Sequence, residues 1–224
     1  MDVNQALALL QQHASKKNKD GMQRFGIDVT NALGVSVTDT RKVAKQIGKN
    51  HALAMQLWHT GIHEARLLAG MIADPEKFTS KMMDAWIKEF TSWDLVDQSC
   101  LNLFHKTSYA YEKVFVYAKK IRDFEKRTAF ALMACFAWHK NIPEKKIIAF
   151  FPVIKASATD ERNFVKKAVN WALRQIGKSS PALNKQAIQT AKEILKINNK
   201  TAQWIAKDAL KELESNAVQK RLKK

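Results

Sequence analysis

Val165-Lys166-Lys167-Ala168-Val169-Asn170-Trp171-Ala172-Leu173-Arg174-Gln175-Ile176 decides the fold class. Val165, Ala168, Val169, Ala172, Leu173 and Ile176 recur at 3.6-residue spacing and form one apolar stripe of a helix running from about Asp160 to Ile176. Lys167, Trp171, Arg174 and Lys178 fall on the opposite face. Working outward, nearly every segment shows the same period, and strict alternation over a strand length is almost absent. The spacing predicts ten to twelve helices. Breaks are expected at Asn18–Gly21, Gly34–Thr38, Gly48–Asn50, Asp74–Glu76, Asn141–Pro143, Ala156–Asp160, Gly177–Pro181 and Ile197–Lys200. Related stretches return every 30 to 40 residues or so: His63-Glu64-Ala65-Arg66-Leu67-Leu68-Ala69, Lys126-Arg127-Thr128-Ala129-Phe130-Ala131-Leu132, and Lys166 to Leu173. That recurrence is the mark of stacked helix pairs, which bury one face against their neighbours and leave an inner, concave face for binding.

Composition agrees. The chain has 224 residues, 46% of them hydrophobic, with only 7 glycines and 4 prolines, too few for a turn-rich β-sandwich. Asp2 stands where a secretory leader would be positive, and the longest apolar run, Ile147 to Ile154, contains Pro152 and is too short to span a bilayer. A soluble, unexported, cytoplasmic protein follows as the expectation. Cys100 and Cys135 lie inside helical patterns and offer neither a disulfide framework nor a metal cluster. His59 and His63 have ligand spacing, but Gly61 lies between them and no further ligand completes a site, so no metal and no cofactor are expected. Gly177-Lys178-Ser179 lacks the upstream glycine of a phosphate loop and reads as a helix stop.

The formal charge is +17, from 38 basic and 21 acidic side chains, and it is concentrated. Residues 54–104 are net −3, whereas residues 105–178 carry sixteen basic against six acidic groups, net +10. Such a block calls for a polyanion, with nucleic acid ahead of an anionic membrane because no aromatic-anchored terminal helix accompanies it. Within it, Trp171 lies outside the buried stripe among cations, the arrangement of a ring that stacks on a nucleotide while its neighbours hold phosphates. In the helix from about Arg122 to Trp138, Ala129, Leu132, Met133 and Phe136 face the core. Lys120, Arg127, Ala131 and Ala134 share the other side, where small alanines would let a phosphate reach the Arg127 fork. In Ser92-Trp93-Asp94-Leu95-Val96-Asp97, Trp93 and Asp97 share a helix face that continues through Cys100, Leu101 and Phe104. Asp94 belongs to the first turn, favoured there by the helix dipole.

At these residues the sequence resembles the AlkD family of DNA alkylation-repair glycosylases, built from HEAT-like repeats. The resemblance rests on Ser92 to Asp97, Lys126-Arg127-Thr128-Ala129 and Lys167 to Arg174, with flanking similarity at Phe25-Gly26-Ile27, Leu57-Trp58, His63 to Arg66 and Gly177-Lys178. It implies a single all-α, HEAT-like solenoid domain over residues 1–224, with a concave basic groove that binds duplex DNA containing alkylated bases. It also implies a monomer that acts at the nucleoid, and a lesion site formed by Trp93, Asp97, Arg127 and Trp171. Where the family often has a second arginine, Lys126 keeps the charge without the fork. Lys120, Lys126, Lys167, Arg174 and Lys178 are the expected phosphate contacts. The implied reaction is hydrolysis of the N-glycosidic bond of N3- or N7-alkylated purines, without metal or cofactor and with the lesion still stacked. The competing expectation is a helical-repeat module that binds branched or distorted DNA without catalysis.

Overall fold

The computed structural model describes residues 1–223, which form helices joined by turns and loops, with no strand among them. Fifteen α-helices and one short 3-10 turn form, more than the spacing predicts. Packing divides the chain into two compact units, Met1–Tyr109 and Ala110–Lys224. The charge follows that division, since the second unit holds 25 basic and 10 acidic residues and the first 13 and 11.

The first unit comprises α1 (Val3–Gln11), α2 (Lys16–Arg24), α3 (Val37–Ile47), α4 (His51–His59), α5 (His63–Ile72), α6 (Ser80–Lys88) and α7 (Trp93–Asn102), followed by the turn Phe104–Lys106. Starts are set by side-chain caps, among them Ser15, Ser36 and Asn50, each accepting from a backbone N–H three residues on. The expected break at Asn18–Gly21 does not occur. Ser15 starts α2 earlier, and the helix runs through Gly21 to Arg24. Helix α5 is central, packed by α3, α4 and α7, and eight of its ten residues are buried. Beside it, Trp58 and Trp86 stack with ring centres 3.8 Å apart and planes 3° from parallel, with Phe78, Phe90 and Phe104 around them.

The second unit comprises α8 (Ala110–Tyr117), α9 (Asp123–His139), α10 (Glu144–Ile148), α11 (Phe150–Ala156), α12 (Asn163–Gly177), α13 (Pro181–Leu195), α14 (Lys200–Leu213) and α15 (Asn216–Leu222). Helix α12 is the hub, against α9, α13 and α14. Its six stripe residues are all fully buried, as the spacing requires. Gly177 ends α12 but does more than stop it. A Cβ there would lie 2.6 Å from Leu213 and 2.9 Å from Ala187, so its lack of a side chain lets α12 approach α13 and α14.

The repeat length is written in the side-chain links between successive helices. Trp58 to Glu89 and His63 to Asp94 each span 31 residues, Arg127 to Phe164 spans 37, Asn170 to Ile205 spans 35 and Lys178 to Glu212 spans 34. The 30- to 40-residue recurrence is therefore a structural period, one helix stacked beside its counterpart in the next repeat.

Candidate nucleic-acid interface

In the first unit, Ser92 is buried just ahead of α7 and donates its hydroxyl to Asp94 at 2.6 Å. The other Asp94 oxygen accepts from His63 Nε2 at 2.8 Å, and the Leu95 N–H adds a third bond. Burial pushes the Asp94 carboxyl up, but the bonds from His63, Ser92 and Leu95 outweigh it and leave the pKa below the usual carboxylate value. Asp94 is thus an ionised anchor that ties the start of α7 to α5. This fits its expected place in the first turn and adds a partner that its sequence position did not reveal. No cluster of three or more side chains able to hold a metal ion forms among the described residues.

Fixing Asp94 fixes its neighbours on the helix. Trp93 opens α7, half-buried, and donates its indole N–H to the Phe25 carbonyl at 3.0 Å. Asp97, one turn later, is also half-buried, while Leu95, Val96, Ser99 and Cys100 turn inward. Trp93 therefore stands at the edge of a hollow of about 560 Å³ whose lining includes Lys17, Met22, Phe25, His63 and Asp94. Phe25 is 72% exposed beside it. Sequence reasoning noted Phe25 only as flanking similarity. Its one legible signal is a large ring beside a glycine at a helix end.

Glu64 is the other residue that the sequence reading missed as chemistry. It is fully buried and accepts from the backbone N–H groups of Leu33, Gly34 and Val35 at 2.7 to 3.1 Å. Gly34 has φ +84°, and a Cβ on it would meet the Ser15 carbonyl at 2.4 Å. The loop ahead of α3 is therefore clasped onto α5 from within.

In the second unit, the expected open side of α9 is corrected. The helix is buried on all sides from Arg127 to Ala137, so Ala131 and Ala134 pack against protein rather than leave an approach. Arg127 is 6% exposed and donates Nη1 to the Phe164 carbonyl at 2.7 Å, joining α9 to the first turn of α12. Its neighbour Lys126 lies 2.9 Å from Asp160, which also pairs with Arg162. Burial raises the Asp160 carboxyl, but the bonds from Arg162 and Lys126 prevail and bring it down to about 2.

Trp171 is half-buried on α12, with Lys167 exposed one turn before it, and Lys120 is exposed after α8. Arg174 and Lys178 continue that face but are engaged. Arg174 pairs with Asp208 at 3.5 Å and Glu212 at 2.8 Å, and Lys178 pairs with Glu212 at 2.8 Å. Of the five expected phosphate contacts, Lys120 and Lys167 are unpaired among the described residues. Lys126, Arg174 and Lys178 already hold carboxylates.

The family model for the DNA alkylation repair enzyme matches residues 6–213. The chain belongs to that family. A solved structure described as "a new family of proteins related to the HEAT-like repeat DNA glycosylases with affinity for branched DNA structures" is 23% identical. The match covers 99% of this chain and 96% of that one, with a TM-score of 0.80, which establishes the HEAT-like repeat fold. A designed armadillo repeat protein is 14% identical over 79% of this chain and 92% of its own, with a TM-score of 0.37. No curated protein is similar enough to count as a match. No helix among the described residues is long and apolar enough to cross a membrane.

Proposed function

We propose that this member of the DNA alkylation repair family binds duplex DNA and hydrolyses the N-glycosidic bond of cationic N3- or N7-alkylpurines. The observation that carries the proposal is the start of α7. There a carboxylate and an indole share one half-exposed face, while the neighbouring carboxylate, Asp94, is held in a buried structural role. Asp94 is committed to that buried role, whereas Asp97 stands on the half-exposed face beside Trp93.

The chemistry needs little more from this face. An alkylated purine already carries positive charge and leaves without a strong general acid. As the bond breaks, cationic character builds on the deoxyribose, as in other glycoside hydrolyses. A carboxylate about 4 Å away at an effective dielectric near 20 stabilises that charge by roughly 4 kcal/mol, about a thousandfold in rate. Asp97 is assigned that role and the placing of the attacking water. Trp93 attracts the cationic base through its π face, worth about 0.5 to 2 kcal/mol, and so selects for charge. The tasks in the second unit are separate. Trp171 contacts the DNA beside Lys167, Lys167 and Lys120 hold phosphates directly, Lys126, Arg174 and Lys178 do so by exchanging carboxylate partners for phosphate, and the enclosed Arg127 positions the start of α12 through the Phe164 carbonyl. No metal or cofactor enters this scheme.

A second reading is a repeat module that recognises branched DNA without cleaving anything. It draws support from the solved neighbour with a TM-score of 0.80, which is described as having affinity for branched DNA structures. Base release from DNA containing 7-methylguanine separates the two. Release by wild type, reduced about a thousandfold in Asp97→Asn with DNA affinity kept, is the expected result. Release by neither protein, with tight binding of a junction, selects the second reading, and release undiminished in Asp97→Asn removes that residue from catalysis.

A further inference from the structure

The polar stripe of α12, Lys167-Trp171-Arg174-Lys178, lies opposite its buried side and advances by four, three and four residues. Thirty-three residues later α14 carries Lys200-Trp204-Lys207-Lys211, with the same steps and nearly the same residues. The two stripes sit on equivalent helices of successive repeats. Asn170 Nδ2 donates to the Ile205 carbonyl at 3.3 Å, Arg174 pairs with Asp208 and Lys178 with Glu212, so α12 and α14 run side by side in the same direction at an offset of 34 or 35.

Helix α14 has its own buried side, made of Ala202, Ile205, Ala206, Ala209 and Leu213. Lys200, Trp204, Lys207 and Lys211 are all exposed on the other. Trp204 is 42% exposed, and the Lys166 Nζ lies 5.8 Å from its ring centre. A solvated basic face gains nothing from an indole, because a large ring left in water forfeits the stabilisation of burial. A face that meets alternating anions and flat rings gains from both. Pairing sharpens the contrast between the two stripes. On α12 the last two cations are neutralised by Asp208 and Glu212, whereas Lys200, Lys207 and Lys211 pair with no carboxylate among the described residues.

We infer that the Lys200-Trp204-Lys207-Lys211 face of α14 is a nucleic-acid contact that grips DNA phosphates and stacks an unpaired base on Trp204. It rests on the reading of the chain as a DNA-binding protein and does not depend on catalysis. A membrane surface is the weaker occupant, since the stripe has one ring and no aliphatic partner to insert.

The test is fluorescence anisotropy of the full chain with a labelled blunt duplex and a labelled fork carrying single-stranded arms, across a salt series. Trp204→Ala is expected to weaken fork binding roughly fivefold to a hundredfold, the range of one base–aromatic stack, with a smaller change on the blunt duplex. Trp204→Phe should recover part of the loss. Lys207→Ala with Lys211→Ala should flatten the salt dependence by about two phosphates' worth on both DNAs. These residues are exposed, and unchanged circular dichroism melts would show that the variants fold. Wild-type affinity and salt slope in all variants would overturn the inference while leaving the glycosylase reading intact, as base release by the same variants would show. Wild-type binding to phosphatidylserine vesicles but to neither DNA would overturn both.

Discussion

The two units handle charge in opposite ways. The first buries it: Glu64 is enclosed by backbone N–H groups and Asp94 by His63 and Ser92, in a unit close to neutral. The second is strongly cationic and balances its charges in pairs nearer the surface, through Asp160 with Lys126 and Arg162 and through Glu212 with Arg174 and Lys178. Buried carboxylates held by several hydrogen bonds fix backbone geometry and are hard to move. Shallow ion pairs contribute little stability and can exchange one partner for another, such as a phosphate. The first arrangement suits a face that must be held still for chemistry, the second a surface that must trade contacts with a polyanion.

The contrast can be broken at its strongest point first. Glu64→Ala leaves three backbone N–H groups around a buried site without their acceptor, at about 1 to 3 kcal/mol each where they stay buried. A loss of about 4 kcal/mol in urea unfolding is expected, enough to unfold many domains; a loss below 1 kcal/mol would show that the clasp is dispensable. Next comes pH. The folded Asp160 carboxyl lies at about 2, below its ordinary 3.8, so its stabilising contribution is complete above pH 3.8 and is lost as pH falls toward 2. Asp160→Asn should lower the melting temperature at pH 7 and shrink the drop between pH 4 and pH 2, whereas equal drops in both proteins would assign the acid sensitivity elsewhere. The smallest stability effect is expected at Glu212→Gln, under about 1 kcal/mol for partly exposed pairs. Yet that change releases Lys178 and leaves Arg174 with Asp208 alone, and DNA binding should tighten with a steeper salt slope; weaker binding would mean that Glu212 orients them.

Helix positions were legible because apolar spacing is local, and the stripe of α12 is buried as the spacing requires. The failures came where the deciding partner is distant in sequence. Period alone left Arg127 on an open side, but α9 is enclosed on every side, and a helix buried all round offers no polar face for a pattern to find. Glu64 sat within a quoted repeat stretch without being read as chemistry, since its three partners lie about thirty residues upstream. The commitments of Arg174 and Lys178 were hidden in the same way. A self-comparison at an offset of 34 would have placed Asp208 and Glu212 opposite them. At α2, weak helix formers suggested a break that the Ser15 cap overrides.

Helix α2 contains no buried residue, and its ends are tied to the body by the Ser15–Gly34 backbone bond and by the Trp93 indole on the Phe25 carbonyl. It works like a bridge deck resting on two piers, and its middle carries none of the weight of the core. A side chain placed at Gly21, where the space is open, should leave melting behaviour almost untouched, which makes that spot a natural attachment point for a probe or a tether.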